Sequence, residues 1–254
     1  MTAWSLQASR YRYRHAARME WIKLRSLRST RWTLLFAIAG TVAVGVAAGA
    51  STKNASGDPT SNILAGIALG QIPIGVLGVL MMTGEYSSGM IRATLSAIPR
   101  RPLVLAAKAS VFGCAALVAG ELATFASFEA GTAALRAGVP HPSLSQAAVL
   151  RAVSQTGAYL ALIGLIGLGL GAIVRSTATA IAVLVGIVFV LPLIGLARTV
   201  AGRFLPELIA ANSLSAVKPV ERYPLSPWVG LGMICLYAAV LLLIGGWLLA
   251  SRDA

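Results

Sequence analysis

Acidic residues are scarce in this chain. Eight Asp and Glu stand against 21 Lys and Arg in 254 residues, and charged residues of both signs make up only 11%. Soluble domains are about a quarter charged, so this composition excludes an ordinary water-soluble globular protein and the domain count its length would suggest. Cysteine is nearly absent: Cys114 and Cys235 each fall inside an apolar run. That excludes a disulfide framework and reads as two small core residues. His15 and His141 have no cysteine or carboxylate at ligand spacing, so no metal site is visible. No lysine follows a glycine, as Ile22-Lys23, Thr52-Lys53, Ala107-Lys108 and Val217-Lys218 show. The phosphate-cradling loop ending in Gly-Lys-Ser/Thr is therefore missing, and the chain binds no ATP by that route. His-Glu-x-x-His and Gly-x-Ser-x-Gly are missing too, and the only aspartates, Asp58 and Asp253, lie outside the apolar runs. Hydrolase chemistry within the membrane has no residues to carry it.

What the chain does have is apolar length: 57% hydrophobic residues and a mean hydropathy of +0.80. Six runs approach or exceed the roughly 20 residues that cross a bilayer, at 32–50, 61–83, 103–128, 152–174, 176–197 and 228–250. The expected fold is all-α: residues 1–31 a basic segment, residues 32–254 a six-helix transmembrane domain. The net charge of +13 resembles that of a nucleic-acid binder. The basic residues, however, sit at the ends of apolar runs, where the positive-inside rule places them, so no nucleic-acid partner is expected. With both termini cytoplasmic, inner segments hold 14 of the 21 Lys and Arg, eight of them before the first run. The expected location is the plasma membrane, with multiple passes. Ala48-Gly-Ala50 resembles a signal-peptidase site, but the basic region ahead of the first run is too long for a signal peptide.

Within this layout several residues stand out. Ala17, Trp21, Leu24 and Arg28 recur at helical spacing among arginines, which predicts an interfacial elbow helix in the headgroup layer. Gly45 and Gly49, Gly66 and Gly70, and Gly167 and Gly171 are each four apart and predict close helix packing. Pro73 and Pro192 predict kinks in the second and fifth spans. Glu121 is a carboxylate at membrane depth, with Arg151 a possible partner and either a packing or a substrate-path role; Gln71 is a candidate of the same kind. Glu129 falls at the outer interface. The two halves share no polar positions or broken segments, which weakens a carrier built on inverted repeats.

Between the second and third runs lies Thr83-Gly-Glu-Tyr-Ser-Ser-Gly-Met-Ile-Arg-Ala-Thr-Leu-Ser-Ala-Ile-Pro-Arg-Arg-Pro102. Ile91, Leu95 and Ile98 keep helical spacing, Glu85 suits a helix start, and Pro99 suits its end. A short helix on the cytoplasmic side is expected over 85–98, its Ile91, Leu95, Ile98 face suited to a hydrophobic groove. Arg92, Arg100 and Arg101 are placed to meet carboxylates or lipid phosphates.

Three stretches carry a family resemblance: Glu20-Trp-Ile-Lys-Leu-Arg-Ser-Leu-Arg-Ser-Thr-Arg-Trp32; Gly84-Glu-Tyr-Ser-Ser-Gly-Met-Ile-Arg-Ala-Thr-Leu95 with Pro99-Arg-Arg101 and Lys108; and Gly169-Leu-Gly-Ala-Ile-Val-Arg-Ser-Thr-Ala178. With the six-run layout they resemble the membrane subunit of type-2 ABC-transporter permeases of high-GC Gram-positive bacteria. The resemblance implies a permease that pairs with a second copy or a relative and sits on two separate ATPase subunits. ATP and Mg would be bound by those partners, and no cofactor by this chain, which would not itself be an enzyme. The 85–98 helix would be the coupling helix, with Glu85, Tyr86, Met90, Ile91, Arg92, Leu95, Ile98 and Arg175 contacting the ATPase. Gln71 and Glu121 would lie on the substrate path, and the loop 198–227 would form short outer re-entrant helices. The implied activity is export of an amphipathic or apolar drug, peptide or lipid-like molecule, with drug or bacteriocin resistance a possible role. The alternatives are a signalling or structural subunit that binds a soluble partner without transport, and a partner-free channel or secondary carrier.

Overall fold

The arginine-rich segment ahead of the first apolar run folds as helix α1, Tyr13–Ser26, and breaks at Leu27, whose backbone is extended. The computed structural model describes residues 13–52, 58–97, 101–193, 202, 204–214, 216 and 225–251. Five stretches are long and apolar enough to cross a membrane. These are α2 (Arg28–Ser51), α3 with α4 (Pro59–Leu64 and Ile67–Ser87), α6 (Arg101–Ala133), α7 (Ala147–Val174) and α10 (Pro227–Ser251). Helix α5, Met90–Ala97, joins the second to the third. The chain is all-helical, with no strand among the described residues. The protein is therefore a multi-pass helical membrane protein.

Each span is longer than its apolar run, because the helix continues through polar flanks once propagation is established. Helix α6 is the extreme case: its 33 residues reach about 50 Å at 1.5 Å per residue, against about 30 Å of hydrocarbon. The described part of the fifth predicted span is Thr177–Leu193, with a π-helical turn at Gly186–Val190 just before Pro192. Pro192 has no N–H and its ring crowds the preceding turn, so the hydrogen-bond ladder must shift there. The rest of that predicted span, 194–197, lies outside the described residues.

Helix α7 is the centre of the bundle, packing on α4, α6, α8 (Thr177–Val185), α9 (Pro206–Leu214) and α10. It is mostly buried, while α2 and α10 are buried over only a minor part of their length. The predicted glycine pairs all serve packing within the chain. Gly45 and Gly49 of α2 lie against Ser127 and Gly131 of α6, Gly66 and Gly70 against Thr41, and Gly167 and Gly171 against α4. Ser127 reinforces the first crossing by donating to the Thr41 carbonyl at 3.2 Å. Cys114 and Cys235 are exposed on the outside of the bundle rather than in its core.

Candidate functional site

At the arginine-rich end, four charges from three helices meet. Glu20 lies on the inward face of α1 with Ala16 and Leu24 and is fully buried. Lys108 lies two turns into α6 and is 1% exposed; Glu85 lies near the end of α4 and is 5% exposed. Lys108 Nζ donates to Glu20 Oε2 at 2.6 Å and to Glu85 Oε1 at 2.8 Å. Lys23 closes the ring from the rim, 2.8 Å from Glu85 Oε1 and 3.4 Å from Glu20 Oε1. Two carboxylates and two ammonium groups cancel in net charge, which makes a buried lysine tolerable. Burial lowers the affinity of Lys23 for its proton, but the hydrogen bond to Glu85 and the charges of Glu20 and Glu85 outweigh it, so its pKa lies above the usual lysine value. Glu85 Oε2 is buried with no hydrogen-bond partner among the described residues.

This arrangement changes the expected partner face. Glu85 does not start the connecting helix; it sits inside α4, which ends at Ser87. Gly89, at φ +71, makes the turn into α5, a backbone conformation that glycine adopts without penalty. The 85–98 segment is thus two helices in their described part. Ile91 points into the bundle core at 4% exposure, with Thr94 beside it. The outward side of α5 carries Met90, Arg92, Ala93 and Ser96. The side chain of Leu95 and all of Ile98 lie outside the described residues.

Arg175 caps α7 in a left-handed conformation (φ 60). Its guanidinium lies over the Tyr86 ring, 5.2 Å from the centroid, and donates to the Leu248 carbonyl at 3.5 Å. Arg101 donates to the neighbouring Leu249 carbonyl at 3.3 Å. The ends of α4, α7 and α10 and the start of α6 are tied together beside the ion cluster.

At the opposite end Gln71 is 2% exposed and links two residues. Tyr159 donates to Gln71 Oε1 at 3.0 Å, and Gln71 Nε2 donates to Glu207 Oε2 at 3.0 Å. Asp58 caps α3 by accepting from Thr60 and binds the Ala216 amide at 2.7 Å. The described part of the 198–227 loop is thereby fastened onto the spans. Glu121 is half-buried over Gly157, where any side chain at 157 would meet its carboxyl group. Arg151 donates to Gln155, one turn along its own helix, at 2.9 Å. Glu121 has no ion-pair partner among the described residues, so Arg151, the candidate partner, does not pair with it.

The structure thus brings Glu85 to Lys108, Tyr86 to Arg175 and Gln71 to Glu207, and keeps Glu121 apart from all of them. Sequence reasoning missed Glu20, Lys23, Lys108 and Glu207 as partners. Their signals were present: a lone acid in a basic segment, and a lysine in helical register with Val104, inside an apolar run. No group of three His, Cys, Asp or Glu comes together among the described residues. No protein-family model matches the chain, and no curated protein matches it in sequence.

Proposed function

We propose that this protein is the membrane subunit of an ATP-driven exporter, with ATP and Mg held by a separate soluble ATPase present in two copies and the chain paired with a second copy or a relative. In this reading α5 is the coupling helix, α1 the elbow, both termini are cytoplasmic, and the membrane is the plasma membrane. The observation that carries it is the base of α5. The helix before it and the helix after it are pinned to each other and to α1 through Glu85, Lys108 and Glu20, with Lys108 within 2.8 Å of both carboxylates. A push on α5 is then passed to two spans and the elbow together, instead of being absorbed in a loose loop. The missing phosphate loop supplies the reason for such a surface, and the resemblance of 20–32, 84–95 and 169–178 points the same way. The substrate class is amphipathic or apolar.

Contact with the ATPase falls to the outward residues Met90 and Arg92, with Arg175 bracing the neighbouring turn. Met90→Asp with Arg92→Glu is expected to lower ATP-dependent transport in vesicles at least tenfold while the chain still reaches the membrane. If the double variant transports normally, or if no ATPase co-purifies with the chain, this reading fails.

A further inference from the structure

We propose that the outward face of α1 and the α1–α2 corner form a docking surface for anionic phospholipid headgroups. Docking α1 onto α6 consumes one face of the helix, with Ala16, Glu20 and Leu24 buried. The opposite face then carries Arg14, Arg18 and Arg25, all exposed, with Trp21 (47% exposed) and Ile22 (57%) among them. Leu27, Arg28 and Trp32 continue this exposed surface around the corner into α2. The guanidinium groups of Arg14, Arg18, Arg25 and Arg28 have no hydrogen-bond or ion-pair partner among the described residues. Arg31 differs: it is spent on the Arg25 carbonyl at the end of α1.

The electrostatics favour one occupant. Glu20 is the only acid from 13 to 52, and it is fully buried in the ion cluster. The surface that remains is basic without an exposed counter-charge, so it attracts anions over about a Debye length. Position selects a membrane over a soluble acidic partner. A single non-helical residue, Leu27, separates α1 from the first span, so α1 cannot stand away from the bilayer. Arginines interleaved with tryptophan and aliphatic side chains match the headgroup layer, where guanidinium meets phosphate and the indole ring meets both glycerol and acyl chain. The occupant is therefore a phospholipid of net negative charge, and the proposal does not depend on what the protein transports.

The test uses the full chain in nanodiscs of phosphatidylcholine carrying a minor fraction of phosphatidylglycerol, with lipid selectivity read from spin-labelled lipid of each class. Wild type is expected to retain phosphatidylglycerol over phosphatidylcholine by about fivefold, the effect of roughly one basic residue at an anionic surface. Concentrated salt should reduce that preference. The variant R14Q/R18Q/R25Q/R28Q should bring it close to one, while R136Q at the other end should leave it intact. Should the quadruple variant fail to fold, quenching by brominated phosphatidylglycerol replaces it: Trp21→Phe must remove more quenching than Trp247→Phe. The proposal is overturned if wild type shows no preference, if the preference survives the four substitutions, or if Trp21 is not quenched. Retention of a soluble acidic polypeptide by chain in neutral nanodiscs, without lipid selectivity, would assign the surface to a protein partner and also overturn it.

Discussion

Lys108 holds a positive charge where the helix around it is otherwise apolar, and its neighbours decide whether that is stable. With Glu20 and Glu85 within 2.8 Å the charge is matched. Lys108→Met leaves only Lys23 to balance Glu20 and Glu85, one buried negative charge in excess, and is expected to cost about 3–5 kcal/mol, seen as a lower unfolding temperature in detergent. Adding Glu20→Gln should recover most of the loss, because it removes the one excess negative charge and leaves Lys23 paired with Glu85. Failure of this rescue would mean that Lys108 acts by packing instead. Lys23 gives a pH test. Its pKa is higher in the folded protein than in the unfolded chain. Its contribution is therefore complete below about pH 10.5, the ordinary lysine value, and is lost as pH rises through the higher folded value. Thermal stability should fall in that alkaline window, and the fall should be smaller in Lys23→Gln. Glu85 is a partner of the buried Lys108, so Glu85→Ala reports on stability before it can report on the proposed coupling.

Helix crossings are decided by what a Cβ would strike. At Gly78 of α4 an added Cβ would run into the Gly164 carbonyl and the start of the next turn of α7. Gly78→Leu should force the two most buried spans apart and destabilise by about 2 kcal/mol or more, since overpacking a fitted interface is not relieved by a backbone neighbour. Gly84, six residues along in the same helix, meets nothing within 4 Å. Gly84→Ala should be neutral or stabilising by about 0.5–1 kcal/mol through helix propensity alone. The pair is read from unfolding temperatures measured side by side; equal effects would contradict the crossing described. The existence of α2, α4, α6, α7 and α10 was legible in the sequence because apolar length and charge at the flanks define a span. The face that α1 buries was not. The stripe Ala17, Trp21, Leu24, Arg28 is what helical spacing selects, whereas Ala16, Glu20 and Leu24 are buried, about a fifth of a turn away, because ion pairing outweighs a modest apolar preference.

The path of the chain through the bundle follows from contacts between its ends. Arg175 and Arg101 reach the carbonyls of Leu248 and Leu249, and Glu20 reaches Lys108. The start of the described chain, the end of α7 and the end of α10 therefore share one end of the molecule. Tyr237 reaches the Phe204 carbonyl and Gln71 reaches Glu207 at the other. Among the described residues, Arg175 thus lies at one end and Phe204 and Glu207 at the other. Reporters fused to the two termini should fall on the same side of the membrane; reporters on opposite sides would refute this arrangement.

Apolar runs and flanking arginines alone determined that this is a multi-pass helical membrane protein, because burying some twenty apolar residues in lipid dwarfs any local preference. They also placed the glycine crossings, since only small residues allow backbones to approach. Tertiary structure alone decided which charges meet. Glu20, Glu85 and Lys108 are far apart in sequence, and no periodicity along one helix encodes a partner on another. The same holds for Ile91, whose inward direction depends on the bundle beneath it, and for the arginines of α1, whose outward face is defined only once Glu20 is taken inside.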